Sequence, residues 1–148
     1  MDDLILLKQA SVASEDNADL FESDVLVEKG VIKAVNSSLD SSDGARVIDA
    51  KGKVLLPGLF DLHVHVREPG QTSKETIRTG SEAAINGGVT GIVAMPNTVP
   101  AIDSGGMVRS VLEIASRDSR VNFFTTGCIT KDREGNEMAA IGGMKEAG

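Results

Sequence analysis

The chain alternates short apolar runs with polar breaks, and the period of the alternation changes once. Asp24-Val25-Leu26-Val27-Glu28 and Val31-Ile32-Lys33-Ala34-Val35 flank Lys29-Gly30. Two β-rich runs around a glycine-containing turn predict a hairpin. Asn36 to Gly44 is polar and reads as a loop. Arg46-Val47-Ile48-Asp49 and Lys53-Val54-Leu55-Leu56, separated by Lys51-Gly52, read as two further short strands. Residues 1–56 therefore read as a small β module.

From Pro57 onward the pattern predicts alternating strands and helices. Phe60 to Val66, Val89 to Met95 and Val121 to Cys128 are short apolar runs rich in β-branched and aromatic residues, which suits strands. Thr72 to Asn86 reads as a helix, with Thr72 and Glu75 spaced as a capping box and Gly87-Gly88 as its stop. Ser104 to Ser116 carries Met107, Val108, Val111, Leu112 and Ala115 in a helical stripe. Glu137 to Ala147 places Met138, Ile141 and Met144 on one face of a third helix. The order βαβαβα is that of a parallel α/β sheet or barrel.

One strand carries an unusual face. With a side-chain period of two, Phe60, Leu62, Val64 and Val66 fall on one side. Asp61, His63, His65 and Arg67 fall on the other. Strands of a parallel sheet are normally apolar on both faces. Burying four ionisable groups without partners would cost several kcal/mol each, so this face must meet a metal, a ligand or a paired network. His63 and His65 project the same way from positions about 7 Å apart along the backbone, which lets two nitrogens converge on one metal ion. They are the only two histidines of the chain. Arg67 extends the same face, and its planar fork matches a carboxylate; a surface salt bridge to Glu68 is the alternative. Asp61 either orients a histidine or is a structural acid bonded to backbone. Asn97, in Met95-Pro96-Asn97-Thr98, lies at the carboxyl end of the second strand of this region, where ligand groups cluster in parallel α/β folds. A plain turn asparagine is its alternative.

Charge sharpens the boundary. Residues 1–50 hold 4 Lys+Arg against 11 Asp+Glu, whereas residues 51–148 hold 11 of each. The whole net charge of -7 thus sits in the first third, the signature of a solvated acidic surface. Nothing in the chain forms a basic cluster that could neutralise phosphates, so nucleic acid is not an expected partner. The start Met1-Asp2-Asp3 is acidic and Leu4-Ile5-Leu6-Leu7 is too short for a signal-peptide core. No run approaches the roughly 20 apolar residues of a membrane helix, so no membrane partner is expected. The single Cys128 cannot form an intrachain disulfide, which suggests a reduced, partly buried thiol in the cytoplasm.

These motifs resemble a known family. Pro57-Gly58-Leu59-Phe60-Asp61-Leu62-His63-Val64-His65 is similar to the first barrel strand of the amidohydrolase superfamily. Val66-Arg67-Glu68-Pro69-Gly70 and Met95-Pro96-Asn97-Thr98 resemble class I dihydroorotases in particular. Hydantoinases and dihydropyrimidinases usually lack this arginine, and allantoinases usually carry asparagine in its place. The resemblance implies an α/β fold: an N-terminal β module, residues 1–56, that is part of a composite β-sandwich, followed at residues 57–148 by a partial barrel, the first three βα units of a (β/α)8 TIM barrel. It implies one or two zinc ions held in part by His63 and His65. Arg67 and Asn97 would bind the substrate carboxylate. The implied reaction interconverts N-carbamoyl-L-aspartate and dihydroorotate in pyrimidine synthesis. A homo-oligomer or association with aspartate transcarbamoylase is the implied partnership. The remaining metal ligands and the catalytic aspartate have no counterpart here, and no third histidine exists. A (β/α)8 barrel takes about 250 residues, so 148 residues suggest an N-terminal fragment with only the first three βα units. Its three strands would keep an open edge and an uncovered apolar face, and poor stability in isolation is expected. Two other readings are an allantoinase-like or other cyclic amidohydrolase, and a non-catalytic subunit that scaffolds aspartate transcarbamoylase.

Overall fold

The computed structural model describes residues 4–13, 19–40 and 44–148. Met1 to Asp3, and residues 41–43 of the predicted loop, lie outside the described residues. The chain divides into two compact units, Met1–Pro57 and Gly58–Gly148.

The first unit is a five-stranded sheet. The antiparallel strands are β1 (Leu4–Ala13), β2 (Leu20–Glu28) and β3 (Val31–Asn36). Strands β4 (Arg46–Asp49) and β5 (Val54–Leu55) both pair with β1 in parallel. The predicted hairpin is present, and its turn residues Lys29 (φ 51°) and Gly30 (φ 76°) both take the left-handed conformation that two-residue hairpins favour. The sequence pattern did not single out β1, although it is the centre of the sheet. Leu6, Ala10 and Val25 are almost fully buried. The register slips between Leu7 and Ala10, and Gln9 there takes φ 59°. This bulge is pinned by Asp24, whose carboxylate accepts from Gln9 N at 2.8 Å, Leu39 N at 2.9 Å and Lys8 Nζ at 2.6 Å.

The second unit is a parallel three-stranded sheet, in the order β6 (Leu59–Val64), β7 (Val89–Ala94), β8 (Asn122–Thr125). Helices α1 (Ile77–Asn86) and α2 (Gly105–Asp118) connect the strands, and α3 (Ile141–Ala147) follows. Val66, Ile77, Ala94, Val108, Val111 and Met144 form the core between sheet and helices.

Four predicted boundaries need correction. Strand β8 ends at Thr125, not at Cys128, because Cys128 N donates to Ile102 O rather than to β7. Helix α1 begins at Ile77, not at Thr72. The capping box is made by Thr76 and Thr79, each hydroxyl accepting from the other residue's backbone N–H at 3.0 Å. Residues 71–74 close a turn instead, with Lys74 N donating to Gln71 O. Glu68 supplies a further cap by accepting from Ile77 N at 2.9 Å. The third helix begins at Ile141, not at Glu137, because Ala139 N donates to Ile129 O and Lys131 N to Glu137 O. That pairing holds residues 137–139 extended, so Met138 and Ile141 are exposed and only Met144 is buried. Strand β6 ends at Val64, not at Val66, since Met95 N donates to Val64 O at the last rung of its ladder.

Candidate active site

The two faces of β6 do not follow simple alternation. Asp61 pairs with Ile92 and Val64 with Ala94, so three residues of β6 match two of β7. This is a one-residue bulge, and it changes which side chains share a face. Val64 packs against the helical core, as does Phe123. Phe60 instead stacks with Phe124, the neighbour of Phe123 on β8, with ring centroids 5.6 Å apart. Phe60 and Val64 therefore lie on opposite faces, which corrects the expected grouping. Gly91 lets the Phe60 ring cross β7, since a Cβ there would lie 2.3 Å from it. His63 and His65 alternate with the core residues Val64 and Val66, and so sit on the face that carries the phenylalanine pair.

The histidines converge. Their Nε2 atoms are 3.2 Å apart and their ring centroids 5.0 Å apart. Both rings are exposed. With metal–nitrogen bonds of about 2.0–2.1 Å, two nitrogens 3.2 Å apart subtend roughly 100–106° at a shared ion, close to tetrahedral. The pair fits a cation of the zinc type. Among the described residues no group of three or more His, Cys, Asp or Glu side chains could complete a metal site.

Each histidine is held differently. Asp61 Oδ1 accepts from the backbone N–H of His63 at 3.0 Å, so its carboxylate meets backbone. Asn97 Oδ1 lies 2.9 Å from Nδ1 of the His65 ring. That contact was not readable from sequence, which marked Asn97 only by its place at a strand end.

Arg67 lies beyond the strand, in the loop between β6 and α1. Its N–H donates to Glu75 O and its carbonyl accepts from Gln71 N. The side chain is half-buried, and among the described residues its guanidinium has no ion-pair or hydrogen-bond partner. Glu68, the neighbour that could have paired with it, is engaged on α1. The loop bearing Arg67 is fastened to the loop bearing Asn97. Val99 N donates to Pro69 O at 3.2 Å. Gly70 sits so close to Val99 that a Cβ would lie 1.9 Å from the carbonyl oxygen, at φ 92°. Only glycine tolerates both conditions. Cys128 packs nearby, its Sγ 3.6 Å from Pro96 O, and burial pushes its thiol above the ordinary range. No helix among the described residues is long and apolar enough to cross a membrane.

Comparison with known proteins gives this geometry a family. The model of the family described as "Dihydro-orotase-like" matches residues 52–148. The dihydroorotase of Sulfurihydrogenibium sp. (strain YO3AOP1) is 41% identical over 145 residues, covering 98% of this chain and 34% of that protein. The dihydroorotase of Carboxydothermus hydrogenoformans is 42% identical over 144 residues, covering 97% and 33%. Among solved structures, L-hydantoinase from Arthrobacter aurescens superposes with a TM-score of 0.77 at 28% identity, over 88% of this chain and 28% of that one. Dihydropyrimidinase from Brevibacillus agri NCHU1002 gives 0.73 at 28% identity, over 86% and 27%. The chain thus spans about a third of the length of the curated relatives it matches. On a family match over most of its length and these identities, the chain belongs to the dihydro-orotase-like family.

Proposed function

We propose that this chain is the amino-terminal part of a zinc-dependent dihydroorotase, which interconverts N-carbamoyl-L-aspartate and dihydroorotate. One observation carries the reading: two convergent imidazole nitrogens 3.2 Å apart, one of the rings in contact with Asn97, followed in the chain by Arg67, whose guanidinium is unpaired among the described residues. In this reading β6-α1-β7-α2-β8-α3 are the first three βα units of a (β/α)8 barrel. The N-terminal sheet is one layer of a composite sandwich. Residues outside this chain supply the remaining ligands for one or two zinc ions and the catalytic aspartate.

Each residue then has a separable task. His63 and His65 present Nε2 atoms to the metal. Zinc, when bound, lowers the pKa of water to about 7 and polarises an amide carbonyl. Arg67 offers two parallel N–H donors to the substrate carboxylate, and Asn97 Nδ2 offers further donors to the same anion. The buried lone Cys128 suits a reducing compartment such as the cytoplasm. The similarity in fold to hydantoinase-type enzymes supports a cyclic amide as the substrate class.

The test is zinc content and turnover of the full-length protein. Wild type should bind zinc and hydrolyse dihydroorotate, and His63→Ala should lower zinc affinity by at least about 100-fold. Unchanged zinc content would remove His63 from the site. Zinc binding with turnover of a hydantoin or allantoin, but not dihydroorotate, would move the protein to another cyclic amidohydrolase. Neither zinc nor turnover would favour the non-catalytic scaffold.

A further inference from the structure

The contact between Asn97 and His65 assigns a proton. An amide oxygen can only accept, so at 2.9 Å from Asn97 Oδ1 the Nδ1 atom of His65 must be the donor. A neutral imidazole carries one N–H, so Nε2 keeps a bare lone pair. That lone pair points towards His63 Nε2 at 3.2 Å. The opposite tautomer would place a hydrogen there and could not ligate a metal through Nε2. Asn97 therefore selects the ligating form of His65 and fixes the plane of its ring.

Its own position is well determined. Met95 N donates to Val64 O at 2.8 Å, and Ile102 N donates to Pro96 O at 3.1 Å, on either side of Asn97. Thr98, which follows it, is 2% exposed and donates its hydroxyl to Pro100 O at 2.7 Å. The His63 ring has no corresponding partner among the described residues, since Asp61 bonds only to the His63 backbone.

We infer that Asn97 is a positioning residue for the metal as well as a contact for substrate. Its oxygen holds His65 and its Nδ2 faces the anion. This rests on the metal-site reading above, and it goes beyond that reading by giving one amide two duties. It predicts that the two duties separate by chemistry. A carboxylate at this position can still accept from His65 Nδ1–H but has no donors for an anion. An apolar side chain can do neither.

The experiment is a zinc titration of the full-length protein against a competing chelator, with dihydroorotate affinity measured on the zinc-loaded form. Asn97→Ala should weaken zinc binding by about 10–100-fold, the usual loss when a hydrogen-bond partner of a ligating histidine is removed. Asn97→Leu keeps the volume and removes the acceptor, so it carries the same expectation if the alanine variant folds poorly. Asn97→Asp should keep zinc affinity at or above wild type while dihydroorotate affinity falls about tenfold or more. Wild-type zinc affinity in the alanine and leucine variants would overturn the inference and leave the metal site standing. Equal zinc loss in the aspartate variant would overturn it too. A wild-type protein that binds no zinc would overturn both readings together.

Discussion

The two units of this chain each gather acids and bases around a bend in the backbone, and they use them in opposite ways. In the first unit the cluster is closed. The Asp24 side chain is almost fully buried, and its carboxylate receives Lys8 Nζ and two backbone N–H groups, while Lys8 Nζ also donates to Leu39 O at 2.9 Å. Every charge has a partner, as burial demands. In the second unit the cluster is open. His63 and His65 bring their Nε2 atoms to 3.2 Å of each other at the exposed end of β6, and the Arg67 guanidinium is unpaired among the described residues. The same residue types therefore serve structure where their bonds are complete and face a ligand where they are not. The lesson runs against the charge profile. All of the net charge lies in residues 1–50, yet the candidate chemistry lies in the neutral remainder.

The largest expected effect comes from the open cluster. Arg67→Ala in the full-length protein should weaken dihydroorotate binding by about 10–100-fold, from the loss of about 1.5–3 kcal/mol of charged hydrogen bonding. Stability should change by no more than about 0.5 kcal/mol, because no bond within the described residues is broken. Arg67→Lys keeps the charge without the planar fork, so it should recover only part of the affinity. Binding isotherms and thermal melts of the three proteins check this. A destabilised protein with normal affinity would place Arg67 in the closed class.

The closed cluster should behave in the reverse manner. The Lys8 ammonium, helped by the backbone N–H groups of Leu39 and Gln9, pulls the Asp24 carboxyl from the ordinary 3.8 down to about 2. A depressed folded value means that the carboxylate stabilises the fold fully above the unfolded value. That contribution is lost as pH falls from about 4 through about 2. Asp24→Asn should lower the melting temperature at pH 7 and leave zinc and dihydroorotate affinity unchanged. It should also flatten the fall of stability over that acid window. Melting curves between pH 2 and pH 7 for both proteins check the sign. An unchanged acid limb in the variant would show that other carboxylates carry it.

Much of this was legible in the chain. Lys29-Gly30 between two β-rich runs fixes a hairpin locally, and the strand-to-helix rhythm after Pro57 needs only the apolar periods. The His63/His65 spacing brings two rings to one side whatever the partner strand does. Other features depend on contacts distant in sequence. Strand β1 has an apolar start but a mixed remainder, and it becomes a strand because β2, β4 and β5 all bond to it. The bulge between Asp61 and Val64 is set by the register with β7, so parity alone mis-grouped Phe60 with Val64. The bond between His65 and Asn97 spans 32 positions and depends on where two loops end.

The smallest effect tests whether the loop carrying Arg67 is held at its far end. The pattern Thr72-x-x-Glu75 matches a capping box in sequence, but the box in use is Thr76 with Thr79. Thr76→Ala removes the acceptor for Thr79 N and should cost about 1 kcal/mol of stability. Thr72→Ala should cost almost nothing, because Thr72 is exposed and lies ahead of the helix. Glu68 still caps Ile77 N in the Thr76 variant, and Val99 N still bonds Pro69 O. The loop should therefore stay in place, and dihydroorotate affinity should move less than about twofold, within the roughly 0.5 kcal/mol of changes that leave a site untouched. Chemical denaturation of the two alanine variants separates the two boxes. Equal losses would return the start of α1 to Thr72, and a large loss of affinity in Thr76→Ala would mean that the helix cap, rather than the strand end, sets the position of Arg67.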